Sequence, residues 1–427
     1  MSLPTGPELQ TQLACNANQS QTLARPKVVN DWSTLTNWVP PVNEAQPRFG
    51  VTEGGVTAGI IWTSYRRSSR AIPWGRRQAF PVVESRVGSA NIKCAVPLPE
   101  KAIIAEIRRM AKSITPSRKG TPPSTPVRVT TGMGDDCAVL RSQPGWDLLV
   151  TTDFTLEGIH FQRAWHPAEA VGHRCLTRGL SDIAAMGGHP VAAFLSLALP
   201  RDLPQTWVRG FMRGLSRLAG RHGVTLAGGD TAESPDGILA DIIVLGSVPI
   251  NKALLRSGAH AGDRICVSGE LGGSAAAIAK LKSTPSGKLK AADYSRHFYP
   301  EPRVEVGRKL CEQQLASSMI DLSDGLSTDL AHICEESGTG AEIEAARIPR
   351  ARVGRPSREV DLDLAFHGGE DYELLFTAPA GKRIPSHIDG VAITCIGSIT
   401  QSRKMVFRDG NGTPHELTPK GWEHFRG

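Results

Sequence analysis

From Val127 onward the chain alternates continuous apolar runs with stretches whose apolar positions recur every three or four residues, the pattern of strands alternating with amphipathic helices. Val127-Arg128-Val129, Leu148-Leu149-Val150, Val191 to Leu199, Val224 to Ala227, Ile238 to Val248, Arg264 to Val267, Ser318-Met319-Ile320 and Tyr372 to Thr377 read as strands. Between them, Pro167 to Gly187 carries Val171, Cys175, Leu176, Leu180 and Ile183 at helical spacing, and Thr206 to Arg221 reads as a second amphipathic helix. Further helices are expected from Gly272 to Leu281, after Pro302 and over Thr328 to Ile333. The polar stretch Pro249 to Gly262 looks like a connection between two halves. Such alternation in both halves predicts an α/β or α+β protein with mixed sheets.

The start of the chain follows a different pattern. Over residues 1–96, Pro, Gly, Ser, Thr and Asn interrupt every apolar run, and Trp32, Trp38, Trp62 and Trp74 sit without a clear period. We read this segment as a disordered extension or a start codon set too far upstream, with a small partner-binding segment as the alternative. A helix is predicted from Pro99 with Ile103, Ile104, Ile107, Met110 and Ile114 on one face, ending before Pro116. The basic, proline-rich loop 116–126 is expected to be mobile.

Composition adds bounds to this picture. An apolar fraction of 40% with 21% charged residues is ordinary for a globular chain long enough for two or three domains. No uncharged apolar run reaches the length of a membrane span and no secretory leader is readable, so a cytoplasmic protein without membrane association is expected. The eight cysteines include no CxxC pair, which argues against zinc, iron–sulfur and disulfide frameworks, and we read them as reduced thiols. Net charge is +7, and residues 1–96 hold ten Lys/Arg against five Asp/Glu. Most of the excess therefore lies outside the motif-bearing region, and no basic stripe interleaved with aromatics indicates nucleic acid.

Candidate chemistry gathers on carboxylates. In Asp321-Leu322-Ser323-Asp324-Gly325-Leu326, two acids and a hydroxyl leave one strand together. Acids crowded in this way raise one another's pKa unless a cation intervenes, so the motif suggests either a divalent metal or a helix cap. Asp136, Asp153, Asp182, Asp230, Asp321 and Asp324 mostly fall at predicted strand ends beside Gly or Thr, where α/β sheets place ligands. Asp182 lies eleven residues after Val171, hence on nearly the same helical face. A lone Asp-Gly is most often a turn or cap, but several such sites after apolar strands point to Mg²⁺ and a phosphate substrate. No P-loop, strand-following GxGxxG, protein-kinase set, GxSxG or HExxH competes. Unaccompanied His160, His173 and His189 read as structural residues on residue type alone.

Seven segments carry a further signal: Gly132 to Leu140, Thr151-Thr152-Asp153 through Phe161, Leu180 to Gly187, Gly228-Gly229-Asp230-Thr231, Arg256-Ser257-Gly258, Ile320 to Leu326, and Gly368-Gly369-Glu370-Asp371-Tyr372-Glu373-Leu374. Together they resemble thiamine-monophosphate kinase. The match runs in order from about residue 97 to 427 and omits the first 96 residues.

The resemblance implies the two-domain aminoimidazole ribonucleotide synthetase-like fold. Residues 97–249 would form an ATP- and Mg²⁺-binding domain that makes a homodimer through a shared β-barrel, and residues 250–427 a C-terminal α/β domain. It implies ATP-dependent phosphorylation of thiamine monophosphate to the diphosphate by direct in-line transfer. Asp136, Thr151, Thr152, Asp153, Asp182, Asp230, Asp321 and Asp324 would hold several Mg²⁺ ions, with Asp182, Asp230, Asp321 and Asp324 central to catalysis. Gly229, Asp230, Arg256 and Ser323 would contact ATP, and His160, Glu370 and Trp422 would line the thiamine site. The extension and loop 116–126 depart from the family pattern, and Trp422 aligns only through the closing Lys420 to Phe425. Two alternatives stand beside this reading: another ATP-dependent kinase or synthetase of the superfamily, and a catalytically silent nucleotide-binding protein.

Overall fold

The computed structural model describes residues 106–107, 109–110, 127–131, 139–284 and 289–422. Residues 1–96, most of the helix predicted from Pro99, loop 116–126 and the segment 132–138 with Asp136 and Cys137 lie outside the described residues. Of that helix, Glu106, Ile107, Arg109 and Met110 are described and helical.

Strands β1 (Val127–Thr131) and β2 (Val139–Ser142) pair antiparallel. A four-stranded sheet follows, built from β3 (Trp146–Leu156), β4 (His189–Leu199), β5 (Thr225–Glu233) and β6 (Leu239–Pro249) in the order β3-β6-β4-β5. It is an open sheet, not a closed barrel. Helix α1 (Ala168–Ala185) and helix α2 (Gln205–Arg221) connect its strands. Packing overrides propensity in α1, where Gly172 would cost about 1 kcal/mol relative to Ala in a free helix. A Cβ there would lie 1.9 Å from the carbonyl oxygen of Phe211, so the glycine lets the two helices cross at close range.

The second sheet contains β7 (Arg264–Ser268), β8 (Ser318–Asp321), β9 (Gly340–Glu344), β12 (Leu374–Ala378), β14 (Val391–Thr400), β15 (Met405–Arg408) and β16 (Pro414–Glu416), in the order β16-β15-β9-β14-β7-β12-β8. A small ribbon, β10 (Arg352–Val353) with β11 (Arg358–Glu359), and the short β13 (His387–Ile388) beside β14 complete the strands. Helices α3 (Gly273–Ser283), α4 (Ser295–Phe298), α5 (Val304–Glu312), α6 (Leu326–Ser337) and α7 (Leu362–His367) lie between strands. The mixed α/β architecture expected from the apolar pattern is present. Helix α1 is buried on nearly every side, and one apolar core runs from its Leu176, Leu180 and Ile183 to Leu310, Met319 and Phe376. Among the described residues no helix is long and apolar enough to cross a membrane.

Three expectations need correction. Asp153 and Asp230 do not sit at strand ends. The strand predicted at 148–150 runs from Trp146 to Leu156 because β3 pairs residue for residue with β6, and β5 runs through Gly228 to Glu233. The strand predicted from Tyr372 begins at Leu374, since Glu370 and Tyr372 have φ of 64° and 53°, outside strand geometry. Finally, Cys266 and Cys395 are not free thiols: they face each other across the β7–β14 ladder, Cα atoms 4.0 Å apart, and form a disulfide. Their separation of 129 residues hid the pairing, which strand register alone creates.

Candidate active site

Period-two alternation along β3 turns Thr151 and Asp153 toward α1 and Thr152 toward the opposite face. On α1, Asp182 receives a hydrogen bond from the Thr151 hydroxyl. Its neighbour Ser181 donates to the Asp321 carboxylate at 2.7 Å. Asp153, Asp182 and Asp321 are thereby gathered from a strand, a helix and the end of a second strand. Burial, reinforced by Asp182, pushes Asp153 up to about 7 and Asp321 up to about 8. Asp182 is likewise raised, chiefly by burial. Three crowded acids beside hydroxyls, with no sulfur or imidazole ligand among the described residues, fit a hard divalent cation such as Mg²⁺.

The motif ending β8 is held by a second loop. Leu322 donates its N–H to Glu373 at 2.7 Å, while Glu370 and Tyr372 donate theirs to Ser323 and Leu322 at 2.8 and 2.9 Å. These pairings explain the left-handed backbone at Glu370 and Tyr372, strain of the kind that surrounding structure must enforce. Asp329, four residues past Gly325 on α6, accepts the N–H groups of Asp324 and Gly325 at 3.2 and 3.0 Å. It fixes the turn from below, while the N-cap of α6 is Gly325, without a side-chain cap hydrogen bond, so the cap reading of the motif is not borne out.

Glu370 faces α1 across from the acids. Arg174 binds it at 2.7 Å and Arg178 at 3.4 Å. Burial alone would raise its pKa, but the two guanidinium groups hold it below the usual carboxylate range. Arg178 also lies 3.6 Å from Asp153 and donates to the Tyr372 hydroxyl at 3.1 Å. Behind Arg174, His297 accepts its hydrogen bond through the main-chain oxygen at 2.6 Å and meets His166 ring to ring at 2.8 Å.

The remaining sequence candidates are placed as follows. His160 lies near Glu370, adding a smaller pull on its pKa, and its Nδ1 accepts the Leu156 N–H at 2.9 Å. Arg256 is exposed, yet its charge lowers the pKa of both Asp182 and Asp321. The main chain of Trp422 donates to the Asp324 carbonyl at 3.1 Å, which sets this half-exposed indole beside the motif. Ser323 sits between Asp321 and Asp324, its carbonyl occupied by Glu370. Two candidates are not drawn into the cluster. The Thr152 side chain, on the outer face of β3, donates to Asp241 at 2.7 Å. Asp230 is exposed on β5, at the far edge of the sheet from β3, and accepts the Thr231 N–H at 2.8 Å. Its neighbour Gly229 is required by geometry, because at φ 146° a Cβ would fall 1.8 Å from the Leu195 carbonyl.

Sequence reasoning missed Arg174, Arg178, Ser181, Asp329 and Tyr372. A signal for the arginines was there: residues 174, 178 and 182 recur every four positions, which puts two cations and an acid on one helical face.

The profile described as AIR synthase related protein, N-terminal domain, matches residues 134–248, and its C-terminal counterpart matches residues 260–407. Thiamine-monophosphate kinase of Escherichia coli K12 is 39% identical over 314 residues, covering 71% of this chain and 94% of that protein. The Bacillus subtilis 168 enzyme of the same name is 33% identical over 315 residues, with 70% and 94% covered. Among solved structures, thiamine-monophosphate kinase from Stenotrophomonas maltophilia K279a superposes with a TM-score of 0.60 at 32% identity, over 73% of this chain and 96% of that one. AaThiL complexed with AMPPCP and TMP gives 0.58 at 30% identity, with 67% and 89% covered. With a mixed α/β fold, an all-oxygen carboxylate cluster beside Glu370, and relatives matched over almost their whole length, this chain belongs to the thiamine-monophosphate kinase family.

Proposed function

We propose that this protein phosphorylates thiamine monophosphate to thiamine diphosphate with ATP, by direct in-line transfer and without a phosphoenzyme. The observation that carries this reading is the apposition, along one face of α1, of the acids Asp153, Asp182 and Asp321 to the guanidinium-held Glu370. It supports a place for cation-bound phosphates next to a place for a cationic ring.

In this proposal Asp136, Thr151, Thr152, Asp153, Asp182, Asp230, Asp321 and Asp324 hold several Mg²⁺ ions, Thr152 and Asp230 from positions apart from the cluster of Asp153, Asp182 and Asp321. When bound there, Mg²⁺ would offset the repulsion between the attacking phosphate oxygen and the phosphates of ATP. Asp182, Asp321 and Asp324 fix the geometry, and Ser181 keeps Asp321 oriented. Gly229, Asp230, Arg256 and Ser323 contact ATP, the planar fork of Arg256 suiting a pair of phosphate oxygens. Glu370 pairs with the cationic thiamine, and His160 and Trp422 close the pocket around it. No side chain has to act as a general base, since the attacking phosphate is already anionic, and alignment of the two phosphates supplies much of the remaining acceleration.

The same proposal assigns ATP and Mg²⁺ binding and dimerisation to residues 97–249 and the second α/β domain to residues 250–427. A homodimer is supported by the outer face of β3, where Leu148, Val150 and Phe154 are at least half exposed in a row. Closing that face against a second copy would bury it and complete a barrel. Dependence on ATP supports a cytoplasmic location. Phosphorus NMR of a mixture containing the protein, ATP, Mg²⁺ and thiamine monophosphate should show the monophosphate signal replaced by a diphosphate pair; appearance of inorganic phosphate alone would overturn the assignment.

A further inference from the structure

We propose that Arg178 is a ligand of the acceptor phosphate, gripping the monophosphate of the substrate between the acids and Glu370. The inference rests on the function proposed above and assigns that site one more group.

Arg178 lies one turn before Asp182 on α1, so its side chain starts from the face that carries the acids. Its Nε is 3.6 Å from Asp153 Oδ1, an ion-pair distance too long for a hydrogen bond, and this buried N–H has no hydrogen-bond partner among the described residues. Its Nη1 is 3.4 Å from Glu370 Oε1 and 3.1 Å from the Tyr372 hydroxyl. One planar cation therefore spans the gap between the acids and the carboxylate wall.

Charge balance makes Arg178 the available cation in that gap. Glu370 already has Arg174 at 2.7 Å, a guanidinium anchored in turn by the His297 carbonyl at 2.6 Å. Arg174 is thus committed to Glu370. The other partner of Arg178, Asp153, belongs to the set assigned to Mg²⁺. Once Asp153 is engaged by a cation, two like charges compete for it, and the guanidinium gains by pairing with a new anion. A substrate lying against the Glu370 wall with its phosphate toward the acids delivers that anion between them. Arginine suits this task, since a buried N–H left unpaired is costly and the fork can meet two phosphate oxygens. No bond is made or broken by Arg178; it binds and aligns the attacking group.

The test uses the full-length protein with Mg²⁺ and AMPPCP, comparing binding of thiamine monophosphate and of thiamine, which has no phosphate. Arg178→Met should weaken thiamine monophosphate binding by roughly tenfold to a hundredfold, the range for a charged hydrogen bond, while thiamine binding and the KM for ATP change by less than about threefold. Arg178→Lys should recover part of the loss by restoring the charge without the fork. Equal weakening for both ligands would mean that Arg178 only props Glu370, and unchanged binding of both would mean that it contacts nothing; either result overturns this inference while leaving the proposed function in place. Failure of the parent protein to bind thiamine monophosphate would overturn both.

Discussion

The hydroxyl of Ser181 donates to the carboxylate of Asp321 across 2.7 Å, linking α1 to the end of β8 through two residues 140 positions apart. Both are buried, so this bond fixes where one acid of the cluster points. Replacing Ser181 by Ala leaves Asp321 short of a partner and should lower the unfolding free energy by about 1–3 kcal/mol. The Mg²⁺ concentration for half-maximal activity should rise severalfold, with turnover largely retained at saturation. Titrating activity with Mg²⁺ checks this, and an unchanged midpoint would detach Ser181 from the site.

Asp321 itself trades stability for function. Burial, then the charge of Asp182, holds it at about 8 in the folded chain, against an ordinary aspartate value near 4. The folded state keeps a proton that the unfolded chain has released, so in the absence of a divalent cation stability falls as pH rises from about 4 through 8. Asp321→Asn removes that cost. Without metal, the variant should melt no lower than the parent at pH 8.5; Mg²⁺ should raise the Tm of the parent but not of the variant, and turnover should drop by at least about a hundredfold. Scanning calorimetry with and without Mg²⁺, alongside an activity assay, separates these effects.

The buried imidazoles set a pH limit of the opposite sign. Burial, then Arg174, pushes His166 down to about 4, and burial lowers its partner His297 well below the usual range. Below pH 6.5 the unfolded chain binds protons that the folded chain refuses, so this contribution to stability is lost as pH falls toward 4. For His166 alone the loss by pH 4.5 comes to about 2.5 kcal/mol. His166→Gln should flatten the decline in unfolding free energy between pH 6.5 and 4.5, measured by denaturant titration. A decline as steep as the parent's would contradict the assignment.

A charge on the outer sheet face should separate copies without touching the acids. Val150 is 63% exposed between Leu148 and Phe154 on β3. The parent should sediment at twice the chain mass, and Val150→Glu should sediment as a monomer that retains the native circular dichroism spectrum. A monomeric parent would refute the proposed dimer.

Much of this was legible in sequence, and the misses share a cause. Continuous apolar runs identified the principal strands, and the three- and four-residue spacing of Leu176, Leu180 and Ile183 identified α1, because burial of a face leaves a period. The acids at 153, 182 and 321 stood out for their residue type beside Thr, Ser and Gly. Strand length was misjudged at Asp153 because Thr and Asp on a half-exposed strand look locally like a turn, and only the pairing of β3 with β6 extends it. That pairing also set Thr152 against Asp241, and the equally non-local pairing of β7 with β14 created the Cys266–Cys395 disulfide. Arg174 and Arg178 were passed over because a cation on a helix is ordinarily a solvated charge, and only the arrival of Glu370 from the far end of the chain gives them a partner.

The most direct test of the central claim is an ADP-release assay on the purified protein with ATP and Mg²⁺, run with and without thiamine monophosphate. Release should depend on thiamine monophosphate, yield one thiamine diphosphate per ADP, and fail with thiamine or on removal of Mg²⁺ by EDTA. ADP release that ignores thiamine monophosphate, or that requires a different acceptor, would contradict the account.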